Sequence, residues 1–141
     1  MTEHYVCENK CCEFSQLKIY TTNRFIPHSK WKAGVILYDV KEEMVLLIQS
    51  NNNLWGFPKG SFKNKETKKL CAIRELKEET GISIPVSYLY NEHIIKQTNF
   101  YYIVHYPKCK VSIQHNKEND DATGIGWFKL KCLKKLSCQL Y

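Results

Sequence analysis

Long apolar runs are absent from this sequence. The longest, AGVILYDV, falls far short of the roughly 20 residues that a membrane-spanning helix needs, so no transmembrane segment is expected. The opening, MTEHYVCENKCCEF, lacks a basic stretch followed by an apolar one, so no secretory signal is readable and the protein is expected to stay in the cytoplasm. Internal repeats and low-complexity tracts are also missing, and 141 residues with 43% apolar content suit one ordinary domain with one core. Seven cysteines cannot all pair within one molecule, and without an export signal they read as reduced thiols, not as a disulfide scaffold. Acidic residues are the scarcer charge, 14 against 21 basic ones. The net charge of +7 points to a basic surface and a polyanionic partner.

Residues 1–30 read as an irregular N-terminal extension, and residues 31–141 as the folded domain. Within it, Trp31 to Val40 and the run MVLLIQS form an expected hairpin over 32–49. Leu54 to Phe57 reads as a short strand before a Pro58-Lys59-Gly60 loop, and Val86 to Tyr90, Phe100 to Tyr106 and Ile125 to Phe128 read as further strands. Glu66 to Thr80 is rich in helix formers and ends at Gly81, a natural helix stop. Lys129 to Leu136 suits a short basic terminal helix. Strands on both sides of a central helix indicate an α+β or α/β sandwich.

The chemistry concentrates on the central helix. Glu75, Glu78 and Glu79 are spaced i, i+3, i+4, which puts three carboxylates on one face with Cβ atoms about 5–6 Å apart. Such a cluster is costly unless cations neutralise it, and hard oxygen ligands suit Mg²⁺ or Mn²⁺. Arg74 stands four residues before Glu78 and can pair with it, while Ala72, Ile73, Leu76 and Leu70 offer the apolar side that packs. At the N-terminus, Cys7, Cys11 and Cys12 with His4 are candidate zinc ligands, but C-x-x-x-C-C lacks a second ligand pair and ordinary thiols are the expected reading.

In the stretch GSFKNKETKKLCAIRELKEETGI five residues separate Gly60 from Glu66, and seven separate Glu66 from Arg74-Glu75-Leu76; Glu78-Glu79 and Gly81-Ile82 follow at single spacers. This resembles the Nudix box at every fixed position. The resemblance implies an α/β/α sandwich with a mixed central sheet and a catalytic loop-helix-loop, a hydrolase of diphosphate bonds in nucleoside diphosphate derivatives. By position it implies that Glu75, Glu78 and Glu79 hold Mg²⁺ or Mn²⁺ with the Gly60 carbonyl, that Arg74 and Glu66 support the carboxylates, and that Glu79 is a general base.

Trp55-Gly56-Phe57-Pro58-Lys59-Gly60 and Cys71-Ala72-Ile73-Arg74-Glu75 look most like the mRNA-decapping branch. That branch carries a further acid six residues before the tryptophan of a late Trp-Phe strand end, a position held here by Asp121, with Asp120 and Glu118 nearby. It implies action on an RNA 5′ end with release of 7-methyl-GDP. Lys59 is then a phosphate contact, and Trp127 and Tyr101 are candidate base-stacking residues, although aromatics in strands are more often core. Lys129, Lys131, Lys134 and Lys135 are candidate contacts to an RNA backbone, with a solvated face the ordinary alternative. Decapping enzymes usually carry a helical regulatory domain before the Nudix fold; the short segment before residue 31 implies a minimal domain or a protein activator. Dinucleoside polyphosphates or diphosphoinositol polyphosphates fit the same box and charge. A non-catalytic RNA-binding Nudix domain would be expected to lose box carboxylates, all of which are retained here.

Overall fold

In the computed structural model, described here for residues 2–7, 10–17, 31–50, 54–115 and 122–133, the β-branched and aromatic runs pair into one mixed sheet. Its strands are β1 (Thr2–Val6), β2 (Glu13–Leu17), β3 (Lys32–Asp39), β4 (Met44–Gln49), β5 (Trp55–Gly56), β6 (Lys59–Ser61), β7 (Glu92–Ile95), β8 (Asn99–His105) and β9 (Gly124–Lys129). They run in the order β1-β2-β9-β4-β3-β8-β7, with β5 on β4 and β6 on β3. Only β3 and β8 pair in parallel; the other pairings are antiparallel.

The expected hairpin over 32–49 is β3 and β4. Along β3 the side chains alternate, with Ala33, Val35 and Leu37 buried and Ile36 and Tyr38 half-buried, as a strand covered unequally on its two faces requires. In β4 all six residues are buried, because it lies between β3 and β9 with both faces covered. The turn between them is held by Asp39, whose carboxylate accepts the Glu42 N–H at 3.0 Å and the Lys108 N–H at 2.7 Å. Those donors, Lys108 first, hold the Asp39 pKa below its ordinary 3.8. A depressed carboxylate value contributes stability that is present above the ordinary value and is lost as pH falls through the folded one. Asp39→Asn should therefore lower Tm at neutral pH, and the gap to the wild type should close once the pH falls below about 3.8. Thermal melts across an acid series measure this.

Helix α1 (Lys68–Thr80) is the one α-helix among the described residues, and it packs on β3 and β6. It starts two residues later than expected: Thr67 caps it, its hydroxyl accepting the Leu70 N–H at 3.2 Å, which leaves Glu66 in the preceding loop. The other end matches expectation. Gly81 has φ 80°, a left-handed conformation that glycine adopts without penalty, and its N–H bonds the Lys77 carbonyl. Cys71, Ala72 and Leu76 are fully buried, but Leu70 is 51% exposed and does not serve as an anchor.

Three segments differ from the sequence reading. Thr2–Val6 and Glu13–Leu17, within the stretch read as irregular, form a hairpin that joins the sheet by pairing with β9. Val86–Tyr88 is a 3₁₀ turn, not a strand: Pro85 directs the chain into it, and its apolar residues have no face to bury, Val86 and Tyr88 both being exposed. Just after it, β7 forms although all four of its side chains are exposed, since an edge strand needs only backbone pairing, here with β8. Of the basic terminal helix expected over 129–136, Lys129 ends β9, residues 130–133 make a 3₁₀ turn, and the remainder lies outside the described residues. No helix among the described residues is long and apolar enough to cross a membrane.

Candidate active site

The Pro58-Lys59-Gly60 loop signal becomes the start of β6, which pairs with β3 and brings Gly60 against the carboxylate face of α1. A Cβ built on Gly60 would lie 2.0 Å from the Glu75 Cδ, so any side chain there would push that carboxylate aside. The Gly60 carbonyl accepts a weak contact from the Cys71 thiol at 3.5 Å, and the neighbouring Lys59 N–H donates to Glu79 Oε2 at 3.1 Å. Loop and helix are thus joined at both Glu75 and Glu79. Gly60→Ala should displace Glu75 and lower turnover by about 100-fold, since a shift near 1 Å at a reacting centre costs that much. Steady-state kinetics beside a melting curve would separate this from unfolding.

Arg74 organises the carboxylates with its whole guanidinium. Nε and Nη2 donate to the two oxygens of Glu66 at 2.6 and 2.8 Å, and Nη2 also donates to the Ser61 carbonyl at 2.9 Å. Nη1 reaches Glu75 at 2.9 Å and Glu78 at 3.1 Å. One cation therefore faces three acids, and the planar fork is what makes the shared geometry feasible. The pairing with Arg74, foremost, holds Glu66 ionised down to about pH 2, and Glu66 in turn pushes the Arg74 pKa further up. The Lys63 N–H, at 3.0 Å from Glu66, adds to this. Burial pushes the Cys71 thiol up to about 12, which keeps it a neutral packing group.

Lys59 brings a feature that the sequence reading missed. Its pKa falls to about 8, first through burial and then through the charges of Lys32 and Lys96, while Glu79 opposes the shift. Lysines from β3 and the turn after β7 therefore act on the Lys59 of β6, whose N–H holds a box carboxylate. The signal was hidden because the sheet register sets it: Lys32 pairs with Asn99 and Ser61, and a turn with positive φ at Lys96 and Gln97 returns the chain to β8.

Trp127 is 2% exposed and its ring N–H donates to the Cys109 carbonyl at 2.9 Å, while Tyr101 is 6% exposed and packs edge-on against Phe57. Both rings are largely buried in the fold. Lys129 bonds the Glu42 carbonyl at 2.8 Å and so belongs to the β3–β4 turn. Asp121, Asp120, Glu118, Lys134 and Lys135 lie outside the described residues. Two concavities, of about 460 and 560 Å³, are lined by residues other than Gly60, Glu75, Glu78 and Glu79. The donor types, not enclosure, mark the site: the Glu75 carboxylate lies against Gly60, Glu79 is bonded to the neighbouring Lys59 N–H, Glu78 shares Arg74 with Glu75, and carboxylate and carbonyl oxygens are hard donors suited to Mg²⁺ or Mn²⁺.

A mixed sheet carrying an α-helix whose Glu75 meets a glycine in an adjoining strand defines an α/β domain with carboxylates gathered along one helix. The chain belongs to the Nudix family: the family model for the NUDIX domain matches residues 28–138. It is similar to the putative hydrolase 111R of Invertebrate iridescent virus 3, 32% identical over 132 residues that cover 89% of this chain and 77% of the relative. It is also similar to the mRNA-decapping protein g5R of African swine fever virus, isolate Pig/Kenya/KEN-50/1950, at 26% identity over 78% of this chain and 52% of that protein, so it spans about half the length of this relative. With the m7GpppN-mRNA hydrolase dcap-2 of Caenorhabditis elegans it shares 30% identity over 69% of this chain and 13% of that protein.

Among solved structures, a C. elegans Ap4A hydrolase matches with TM-score 0.56 and 22% identity, covering 76% of this chain and 86% of that one. A bifunctional NMN adenylyltransferase/ADP ribose pyrophosphatase from Francisella tularensis matches with TM-score 0.62 and 18% identity, covering 82% and 39%. These structural likenesses show the fold. The protein is a Nudix hydrolase, a pyrophosphohydrolase of a family that generally uses divalent metal ions.

Proposed function

We propose that this domain hydrolyses the diphosphate linkage at an RNA 5′ end in the cytoplasm, releasing 7-methyl-GDP from capped RNA. The observation that carries this reading is Lys59, fastened to the box carboxylate Glu79 by its N–H at 3.1 Å and feeling the charges of Lys32 and Lys96, which offers a polyphosphate chain a cationic approach to the box. The similarity to viral and nematode decapping proteins supports the choice of RNA. Glu75, Glu78 and Glu79, with the Gly60 carbonyl, fit Mg²⁺ or Mn²⁺, which when bound shields the diphosphate and lowers the pKa of water. Glu79, held by the Lys59 N–H, accepts the proton of the attacking water. Arg74 donates to Glu75 and Glu78 and so orients both carboxylates, and Lys59 binds a phosphate oxygen. Water adds its oxygen to one phosphorus, the bridging P–O bond breaks, and the other phosphate leaves with its electron pair. Asp121 stands as a second acid for the same step.

A competition assay tests the choice of substrate. Capped RNA and a dinucleoside tetraphosphate are offered separately, each with and without uncapped competitor RNA. Cleavage of capped RNA that the competitor inhibits is the expected result. Rapid cleavage of the dinucleotide alone, indifferent to competitor, would move the activity to small polyphosphates.

A further inference from the structure

Outside the hydrolytic site, four thiols from opposite ends of the chain meet. Cys7 follows β1, Cys11 and Cys12 lead into β2, and Cys132 sits in the turn after β9, 121 residues beyond Cys11. Their sulfurs all lie within 4.8 Å of one another, with Cys11 at 3.6 Å from Cys7, 3.8 Å from Cys12 and 3.4 Å from Cys132. Four sulfurs around a zinc ion at about 2.3 Å would be separated by about 3.8 Å, close to these spacings. A disulfide requires about 2.05 Å, and none of the four cysteines is disulfide-bonded. Cys132 is the ligand missing from the N-terminal C-x-x-x-C-C pattern; His4 is not part of the cluster, its ring bonding the Ser15 hydroxyl at 3.1 Å.

The backbone is shaped for the same purpose. The Cys7 N–H bonds the Cys12 carbonyl at 3.0 Å and the Lys10 N–H bonds the Cys7 carbonyl at 2.9 Å, with Lys10 in a left-handed conformation at φ 57°. These bonds bring the backbone of Cys7 to that of Cys12 and of Lys10. The Lys129 N–H points at Cys12 Sγ at 3.1 Å, a donor that stabilises a thiolate. Cys12 and Cys132 are buried and the other two half-buried, so the cluster is closed to solvent on its inner side, while exposed Lys10 and Lys131 flank it in sequence.

We propose that Cys7, Cys11, Cys12 and Cys132 form a structural tetrathiolate zinc site that ties the N-terminal hairpin to the end of the last strand. Binding displaces the thiol protons to solvent and changes no oxidation state. Four protein ligands leave no open position, so the ion takes no part in hydrolysis.

Metal analysis of the full chain, purified under reducing conditions from zinc-supplemented culture, tests the proposal. About one zinc per chain is expected in the wild type, in Cys109→Ser and in Glu78→Gln, and its loss in Cys11→Ser and Cys132→Ser. Retention in Glu78→Gln separates this site from the hydrolytic carboxylates. If the cysteine variants fail to fold, the wild type still decides: cobalt exchange should give the intense visible bands of a tetrahedral tetrathiolate, and chelation should expose protected thiols to a thiol reagent. Zinc-free wild type with every thiol reactive, an iron-coloured protein, or zinc retained in both cluster variants would overturn the proposal.

Discussion

Glu79→Gln should lower turnover by about 1,000-fold, within the range a lost general base costs, while the melting temperature stays close to that of the wild type. The Lys59 N–H bonds Glu79 Oε2 at 3.1 Å, and a glutamine oxygen can accept the same bond, so the loop remains fastened to the helix. What disappears is the negative charge and the ability to take a proton. Because Glu79 is not among the acids that Arg74 bonds, its loss leaves that network intact. Kinetics and melting on the same preparation check both halves. A variant that retains most of its turnover would remove Glu79 from the chemistry.

Arg74→Ala should damage fold and activity together. It leaves Glu66, Glu75 and Glu78 facing one another without their shared cation, and the Glu75 side chain is only 5% exposed. Removing one partner of a fully buried pair costs about 3–5 kcal/mol. Arg74 is 20% exposed, so solvent screening reduces the expected loss to about 2–4 kcal/mol, or roughly 10 °C in Tm. The pH dependence has a definite sign. Glu66 titrates near 2 in the fold against 4.5 ordinarily, so its contribution is complete above about 4.5 and is lost as pH falls towards 2. The deficit of Arg74→Ala should therefore be largest near neutrality and shrink in acid. Arg74→Lys should recover only part of it, because an ammonium cannot reproduce the fork to Glu66.

The catalytic helix was legible because local rules specify it: carboxylates at i, i+3 and i+4, an arginine four residues before one of them, and a glycine stop. The β3–β4 hairpin was legible for the same reason, its apolar runs being long enough to show a period. The N-terminal hairpin was not, since β1 and β2 are short and polar and depend on pairing with β9, more than 100 residues away. Only the fold brings Cys132 to the three N-terminal thiols, and only sheet register brings Lys32 and Lys96 to Lys59. In both cases the missing information is tertiary. The rings of Trp127 and Tyr101 illustrate the converse, apolar groups that composition offered as ligand contacts and that burial commits to the core.

The most direct test of the central claim is product analysis after incubating wild type and Glu79→Gln with Mg²⁺ or Mn²⁺ and RNA labelled in its cap phosphates. Metal-dependent release of 7-methyl-GDP by the wild type, strongly reduced in the variant, is the predicted result. Equal release by both proteins, or release without added metal and in the presence of chelator, would contradict the account.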